Sequence, residues 1–99
     1  MTATEAVSVS ATDRPRLARH VRLSFSDVRQ RPVLLLPETV VVLNASGAAV
    51  LRCCDGRRTV AEIVTALGAR YRGVPEHEVR RFLSGLLARH WVELVEADG

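Results

Sequence analysis

Lysine is absent from this sequence, and aromatic residues are scarce. All 14 basic residues are arginines, and phenylalanine, tyrosine and tryptophan together make up 4% of the chain. A core with so few rings must be built from aliphatic side chains, which suits one small domain of 99 residues. The 11 acidic residues leave a net charge of +3, so the charge gives little support to nucleic-acid binding.

Long apolar runs and metal-ligand spacings are also lacking. No run approaches the length of a membrane span, and the N-terminus has no basic start followed by an apolar block. We therefore expect a cytoplasmic protein without membrane contact. Cys53 and Cys54 are adjacent, which strains a disulfide and favours a role as small buried apolar residues. The three histidines have no metal-ligand spacing with the cysteines or with each other, so neither a metal nor another cofactor is expected.

Strand patterns fill the first half of the chain. Residues 20–25 alternate polar and apolar side chains, as a half-buried strand does. Residues 33–36 and 39–43 are short aliphatic runs on either side of Pro37 and Glu38, which predict a turn between two strands. The short connections indicate a three-stranded antiparallel meander whose third strand lies at an edge.

Helical patterns fill the second half. Asn44 is a good N-cap for a helix over residues 45–54, and Thr59 with Glu62 forms a capping box for a second helix. Pro75 fits the first turn of a third helix, whose apolar residues repeat at helical spacing: Val79, Phe82, Leu83, Leu86 and Leu87. Residues 91–95 form a short last strand or extended segment. The predicted fold class is α+β and winged-helix-like, a three-stranded antiparallel β-meander followed by three α-helices.

The chain divides into a tail and one domain. Residues 1–13 show no strand or helix period and no turn signal, so we predict a disordered N-terminal tail. Deleting this tail is expected to leave stability almost unchanged. Residues 14–96 are predicted to form the single domain.

Catalytic motifs are missing from the sequence. The segment from Gly56 to Thr59 lacks the remaining glycines and the lysine of a phosphate-binding loop, and no serine stands in a nucleophile-elbow pattern. Glu76 and Glu78 suit the first turn of the third helix, where acidic side chains favour the helix dipole. No catalytic residue is therefore predicted, and a binding module is favoured over an enzyme.

The third strand is the first candidate binding feature. It carries three consecutive valines, Val40, Val41 and Val42, at an uncharged edge that needs to be covered. A partner peptide could add there as a further strand, or another part of the chain or a second copy could pair with it. The outer surface of the third helix is the second feature, although such faces are usually only solvated.

Two runs of residues resemble the PqqD family. The first is Leu43-Asn44-x-Ser46-Gly47-Ala48-Ala49-Val50-Leu51, and the second is Cys54-Asp55-Gly56-x-Arg58-Thr59-Val60-x-x-Ile63. The resemblance extends over residues 15–94. It implies a peptide chaperone of pyrroloquinoline quinone (PQQ) biosynthesis, which binds the ribosomal precursor peptide PqqA and presents it to the radical-SAM enzyme PqqE without doing chemistry itself.

The family resemblance also implies a site. The peptide lies as an added strand beside the third strand, in a groove against the third helix. Carried over by position, this site comprises Val40, Val41, Val42, Arg80, Ser84 and Leu87. Arg80→Glu is expected to weaken capture of an acidic peptide.

Other functions remain open at this point. The domain could recognise the leader peptide of another modified-peptide pathway. It could also be a winged-helix DNA-binding domain with the third helix in the major groove, although Glu76 and Glu78 stand where base-reading side chains belong, so no specific nucleic acid is expected. Self-pairing through the valine edge is a third possibility, and the chain is expected to be a monomer or a homodimer.

Overall fold

The computed structural model describes residues 8–68 and 74–96. In chain order the elements are β1 (Arg14–Leu17), β2 (Arg22–Ser26), β3 (Arg31–Leu35), β4 (Val40–Val42), α1 (Ala45–Arg52), α2 (Val60–Gly68), α3 (Glu76–Ala88) and β5 (Val92–Val95). The predicted α+β fold is confirmed, with one strand more than expected at its start. Within the described ranges, no helix combines the length and apolar character that crossing a membrane requires.

Strands β2, β3 and β4 form the predicted antiparallel meander, with β3 in the middle. Leu34 of β3 lies opposite Leu23 of β2 and Val41 of β4. Leu34 is fully buried in the main hydrophobic core, and the other two side chains pack against that core. This face of the meander therefore forms the inner face, which packs towards the helices.

Proline in the central strand is accommodated by the arginine before it. Pro32 lies within β3, just before the aliphatic run at residues 33–36 that predicted this strand. Its carbonyl accepts a hydrogen bond from the N–H of Leu43 at 2.9 Å, but its own nitrogen cannot donate in return. The guanidinium of Arg31 donates to the Leu43 carbonyl instead, at 3.3 Å.

A second sheet consists of β1 and β5 and was not predicted as a pair. β1 runs antiparallel to β5, with Pro15 opposite Leu94. The other side of β1 is also used, because the N–H of Gly56 donates to the Pro15 carbonyl at 3.0 Å and Arg16 forms a bridge with Asp55. β1 is therefore covered by its own chain on both sides.

The segment between α1 and α2 has a structural role. The Asp55 carboxylate accepts hydrogen bonds from the N–H of Arg57 at 2.9 Å and from the N–H of Arg58 at 3.1 Å. Both bonds lower the pKa of Asp55, and the bond from Arg57 has the larger effect. Gly56 has φ +80°, and a Cβ there would lie 3.0 Å from Val95. Much of the run that carries the family resemblance thus specifies a tight turn.

Helix caps follow the predicted pattern. The Asn44 side chain accepts from the N–H of Gly47 at 2.7 Å. Thr59 and Glu62 form a reciprocal capping box, in which the Thr59 N–H donates to the Glu62 carboxylate at 2.8 Å and the Glu62 N–H donates to the Thr59 hydroxyl at 3.1 Å. These local bonds fix where α1 and α2 begin.

The core is aliphatic, as the composition predicts, and it joins all three helices to the inner face of the meander. Cys54 belongs to it, and burial raises the pKa of its thiol to about 12. Its thiol donates to the Val50 carbonyl at 3.3 Å. Cys53 is only half-buried, and both cysteines are free.

Residues 8–13 are not a disordered tail. The Val9 side chain is only 1% exposed and belongs to the core. The first N–H groups of α2 are capped by this segment, because Val60 donates to the Asp13 carbonyl at 2.9 Å and Ala61 donates to the Ala11 carbonyl at 3.0 Å. The expected tail boundary at residue 13 was wrong because these contacts are distant in sequence and leave no local pattern. The rest of the predicted tail, residues 1–7, lies outside the described residues.

Candidate functional site

The outer edge of β4 offers backbone groups at two valines. Beyond the two ends of the β3–β4 pairing, the Leu36 N–H donates to the Thr39 carbonyl and the Leu43 N–H donates to the Pro32 carbonyl, both at 2.9 Å. Bonded and non-bonded pairs alternate in an antiparallel ladder, so Val41 directs its backbone groups towards Leu34 of β3. Val40 and Val42 therefore direct their N–H and C=O groups away from the sheet, and among the described strands none pairs with them.

The two edges of the meander differ in chemistry. β2, at one edge, carries the exposed side chains of Arg22 and Ser24. β4, at the other edge, carries Val40 and Val42, each 43% exposed. Charged residues on an edge strand discourage pairing with another chain, whereas an uncharged aliphatic edge permits it. β4 is the edge suited to strand addition.

A cleft of about 190 Å³ opens next to the end of β4. Its polar rim includes Asn44, which follows Val42 by two residues, and its wall comes from α3 through Glu78, Val79 and Phe82. The remaining lining residues come from α1 and the segment before α3: Ser46, Gly47, Val50 and Val74. Because a strand advances about 3.3 Å per residue, a peptide paired with Val42 needs only about two further residues to reach the cleft.

Glycine at position 47 permits the close approach of α1 and α3 at this cleft. A Cβ on Gly47 would lie 2.9 Å from the Asn44 side-chain oxygen and 3.3 Å from the ring of Phe82. Any larger residue would disturb both the cap of α1 and the position of the ring. The cleft is therefore built into the packing of the two helices.

Arg80 and Ser84 lie on the opposite flank of α3. At 3.6 residues per turn, they fall on one side of the buried stripe, whereas Glu78 and Phe82 fall on the other. The N–H of Val9 donates to the Ser84 hydroxyl at 3.0 Å, and the Arg80 guanidinium donates to the Val9 carbonyl at 2.8 Å. Arg80 also lies 3.6 Å from the Glu76 carboxylate. Both side chains thus hold the N-terminal segment.

The structure separates the predicted site residues into two groups. Val40, Val41 and Val42 form the edge strand, with Val41 turned inward. Arg80 and Ser84 bind residue 9, and Leu87 is half-buried against the core. The cleft residues Asn44, Glu78 and Phe82 were not predicted as site residues. In the sequence, Phe82 stood only as a member of the apolar repeat of the third helix.

The chemistry of the cleft suits binding. Its polar groups are an amide, a hydroxyl and the Glu78 carboxylate above an apolar floor. Across residues 8–68 and 74–96, no three histidine, cysteine, aspartate or glutamate side chains are grouped closely enough to hold a metal ion.

A family model described as coenzyme PQQ synthesis protein D (PqqD) matches residues 32–92. The match includes β4, the cleft and α3. The chain belongs to the PqqD family. The resemblance found in the sequence is thereby confirmed.

Curated relatives support this assignment over different lengths. The chain is 49% identical over 65 residues to a protein named PqqA binding protein from Rhodopseudomonas palustris, in a match covering 66% of this chain and 64% of that protein. It is 42% identical to a PqqA binding protein from Pseudomonas aeruginosa, covering 81% of this chain and 89% of that protein. It is 40% identical to the bifunctional coenzyme PQQ synthesis protein C/D of Methylorubrum extorquens, covering 93% of this chain but only 26% of that longer protein.

A solved structure shares the fold. It is the solution NMR structure of the PqqD truncation of Methylobacterium extorquens PqqCD, described as a functional and stand-alone recognition element for ribosomally synthesized and post-translationally modified peptides. The TM-score is 0.76 at 40% identity, and the match covers 91% of this chain and 99% of that one.

Proposed function

We propose that this protein is a non-catalytic chaperone of PQQ biosynthesis that binds the precursor peptide PqqA. The peptide adds as a strand at the outer edge of β4 and continues into the cleft beside α3. The protein then presents the bound peptide to a modifying enzyme, the radical-SAM enzyme PqqE, in the cytoplasm. Two relatives named PqqA binding proteins, matched at 49% and 42% identity, support the choice of peptide.

The outward-directed backbone groups of Val40 and Val42, which have no partner among the described strands, are the observation that carries this proposal. Hydrogen bonds between main chains supply affinity in strand addition, and nearby side-chain sites supply specificity. The two valines offer N–H and C=O groups on the same side, which suits an extended peptide of about three residues. The adjoining cleft supplies the side-chain site.

The peptide site proposed here uses one flank of α3. Glu78, Val79 and Phe82 line the cleft, so we place the bound peptide against these residues. Arg80 and Ser84 are left out of the peptide site because their side chains already bind Val9. Leu87 belongs to the same flank as Arg80 and is left out with it.

Val40→Pro tests whether the backbone N–H of Val40 points away from the sheet and binds the peptide. Proline removes the outward N–H but keeps an apolar side chain, and edge strands tolerate it at their first residue. We expect the variant to keep its circular dichroism spectrum and to bind synthetic PqqA about tenfold more weakly in titration calorimetry, close to the upper end for one lost hydrogen bond.

Val41→Pro is the matched control. Its N–H points into the ladder and its side chain packs on the core, so this variant should lose stability instead. If Val40→Pro is folded and binds PqqA as tightly as the parent, strand addition at β4 is wrong. If both variants lost the same amount of stability, the assignment of an outward N–H to Val40 and an inward N–H to Val41 would be contradicted.

A further inference from the structure

The outer face of the meander carries a second apolar patch, away from the helices. Val33 and Leu35 of β3 lie opposite Val42 and Val40 of β4, respectively. Side chains of directly opposed residues share a face, and neighbours along a strand alternate. These four residues therefore share the face opposite to that of Leu34.

The burial of these residues confirms that the patch is separate from the main core. Leu35 is 37% exposed, and Val40 and Val42 are each 43% exposed. Val33 is only 2% exposed, although it is not part of the core cluster that contains Leu34. Neighbours on the outer face must therefore cover it: Val42 and Ser24 lie opposite it, and Leu35 and Arg31 flank it along β3.

The patch is placed asymmetrically on the sheet. On the β2 side, Val33 lies opposite Ser24 and Leu35 lies opposite Arg22. The polar half of the face thus lies at the β2 edge, and the apolar half adjoins the open β4 edge. A chain that pairs with β4 arrives at the apolar half.

We propose that this outer face is a second recognition surface, which takes two bulky apolar side chains of the strand that adds at β4. This inference rests on the proposed function. Peptide residues directly opposite Val40 and Val42 must point to the outer face, with Cβ atoms about 5 Å from those of the valines. Large side chains at these two positions also reach the diagonally placed valine of β4, because diagonal neighbours on paired strands, at about 7–8 Å, remain within reach of aromatic and long side chains.

The outer face therefore contacts every second residue of the bound peptide. Residues at positions i and i+2 pack on the outer face, and the residue between them points inward with Val41 towards the helices. The recognised segment is accordingly an extended stretch with apolar residues on both faces, unlike a half-exposed strand that alternates apolar and polar residues.

The double variant Val40→Thr with Val42→Thr tests this surface. Threonine keeps the branched shape and strand preference of valine but replaces a methyl group with a hydroxyl. Both backbone N–H groups remain, so strand addition itself is preserved. We expect synthetic PqqA to bind about tenfold more weakly, with an unchanged unfolding midpoint, because each position loses apolar contact with the peptide.

Val28→Thr is the matched control, since Val28 is 93% exposed in the turn between β2 and β3. It should bind PqqA as the parent does. A second arm replaces single PqqA residues with serine along the bound segment. In the parent, losses are expected at outer-facing and inward-facing positions alike, and the double variant should make only the outer-facing positions, which alternate along the segment, less sensitive.

Three results would overturn the proposal. If the double variant binds PqqA as tightly as the parent while Val40→Pro binds it weakly, the peptide lies at the β4 edge but does not use the outer face. Parental affinity in both would remove the β4 site altogether. If the threonine variant bound PqqA normally but changed from dimer to monomer in light scattering, a second copy of the chain would cover the patch instead.

Discussion

The two flanks of helix α3 face different surroundings. On one flank, Arg80 and Ser84 bind both backbone groups of Val9, so the chain fills this side with its own N-terminal segment. On the other flank, Glu78 and Phe82 border a cleft whose lining includes Asn44, two residues after the end of β4. The filled flank contributes stability, and we assign recognition to the open flank.

Strands show the same contrast. β1 has β5 on one side and the Asp55 segment on the other, whereas β4 has only β3 as a partner within the described residues. An exposed aliphatic edge is a liability in a protein that has no use for it. The strand addition proposed above would cover this edge.

The largest expected effect concerns the filled flank. Val9→Ala removes about two buried methyl groups and leaves a cavity between α2 and α3, so the free energy of unfolding should fall by about 2 kcal/mol. Val28→Ala makes the same change at a fully exposed site and should stay within about 0.5 kcal/mol of the parent. Urea denaturation followed by circular dichroism measures both. Equal stability of the two variants would mean that residues 8–13 do not pack on the domain.

The next effect concerns the open flank. Ser46 lines the cleft, and Ser46→Phe should fill it and weaken PqqA binding by about tenfold or more, as expected when a peptide side chain loses its apolar site. Ala45→Phe places the same ring on the neighbouring, exposed position, which does not line the cleft. Titration calorimetry should therefore separate the two variants. Unchanged affinity in Ser46→Phe would show that the peptide does not enter the cleft.

A smaller effect separates the two flanks directly. Arg80→Met keeps the aliphatic stem but loses the 2.8 Å bond to the Val9 carbonyl, so stability should fall by about 1 kcal/mol. PqqA affinity should stay within about twofold of the parent, because less than about 0.4 kcal/mol of binding free energy would then be lost. A tenfold loss of affinity without loss of stability would return Arg80 to the peptide site.

The sequence predicted elements that are specified locally. Asn44 and the Thr59–Glu62 box mark helix starts within three residues of sequence, and the meander follows from short turns between aliphatic runs. β1 was missed because Pro15 argues against a strand and its partner β5 lies at the other end of the chain. Only the folded chain brings the two together.

The two elements of the candidate site differ in the same way in how far local sequence specifies them. The valine edge follows from the order of three neighbouring strands. The choice between the flanks of α3 depends on contacts of Val9 with residues more than 70 positions away, since the bond to Arg80 spans 71 positions. A helical pattern identifies both flanks as exposed but contains no information about which one the N-terminal segment covers.

Amide hydrogen exchange at β4 is the most direct test of the central claim. The amides of Val40 and Val42 point outward, so exchange in the free protein should be fast at both and slower at Val41, which is bonded within the ladder. Adding synthetic PqqA should slow exchange at Val40 and Val42 and leave Val41 nearly unchanged. If PqqA binds while both outward amides still exchange as in the free protein, the peptide does not add as a strand at β4.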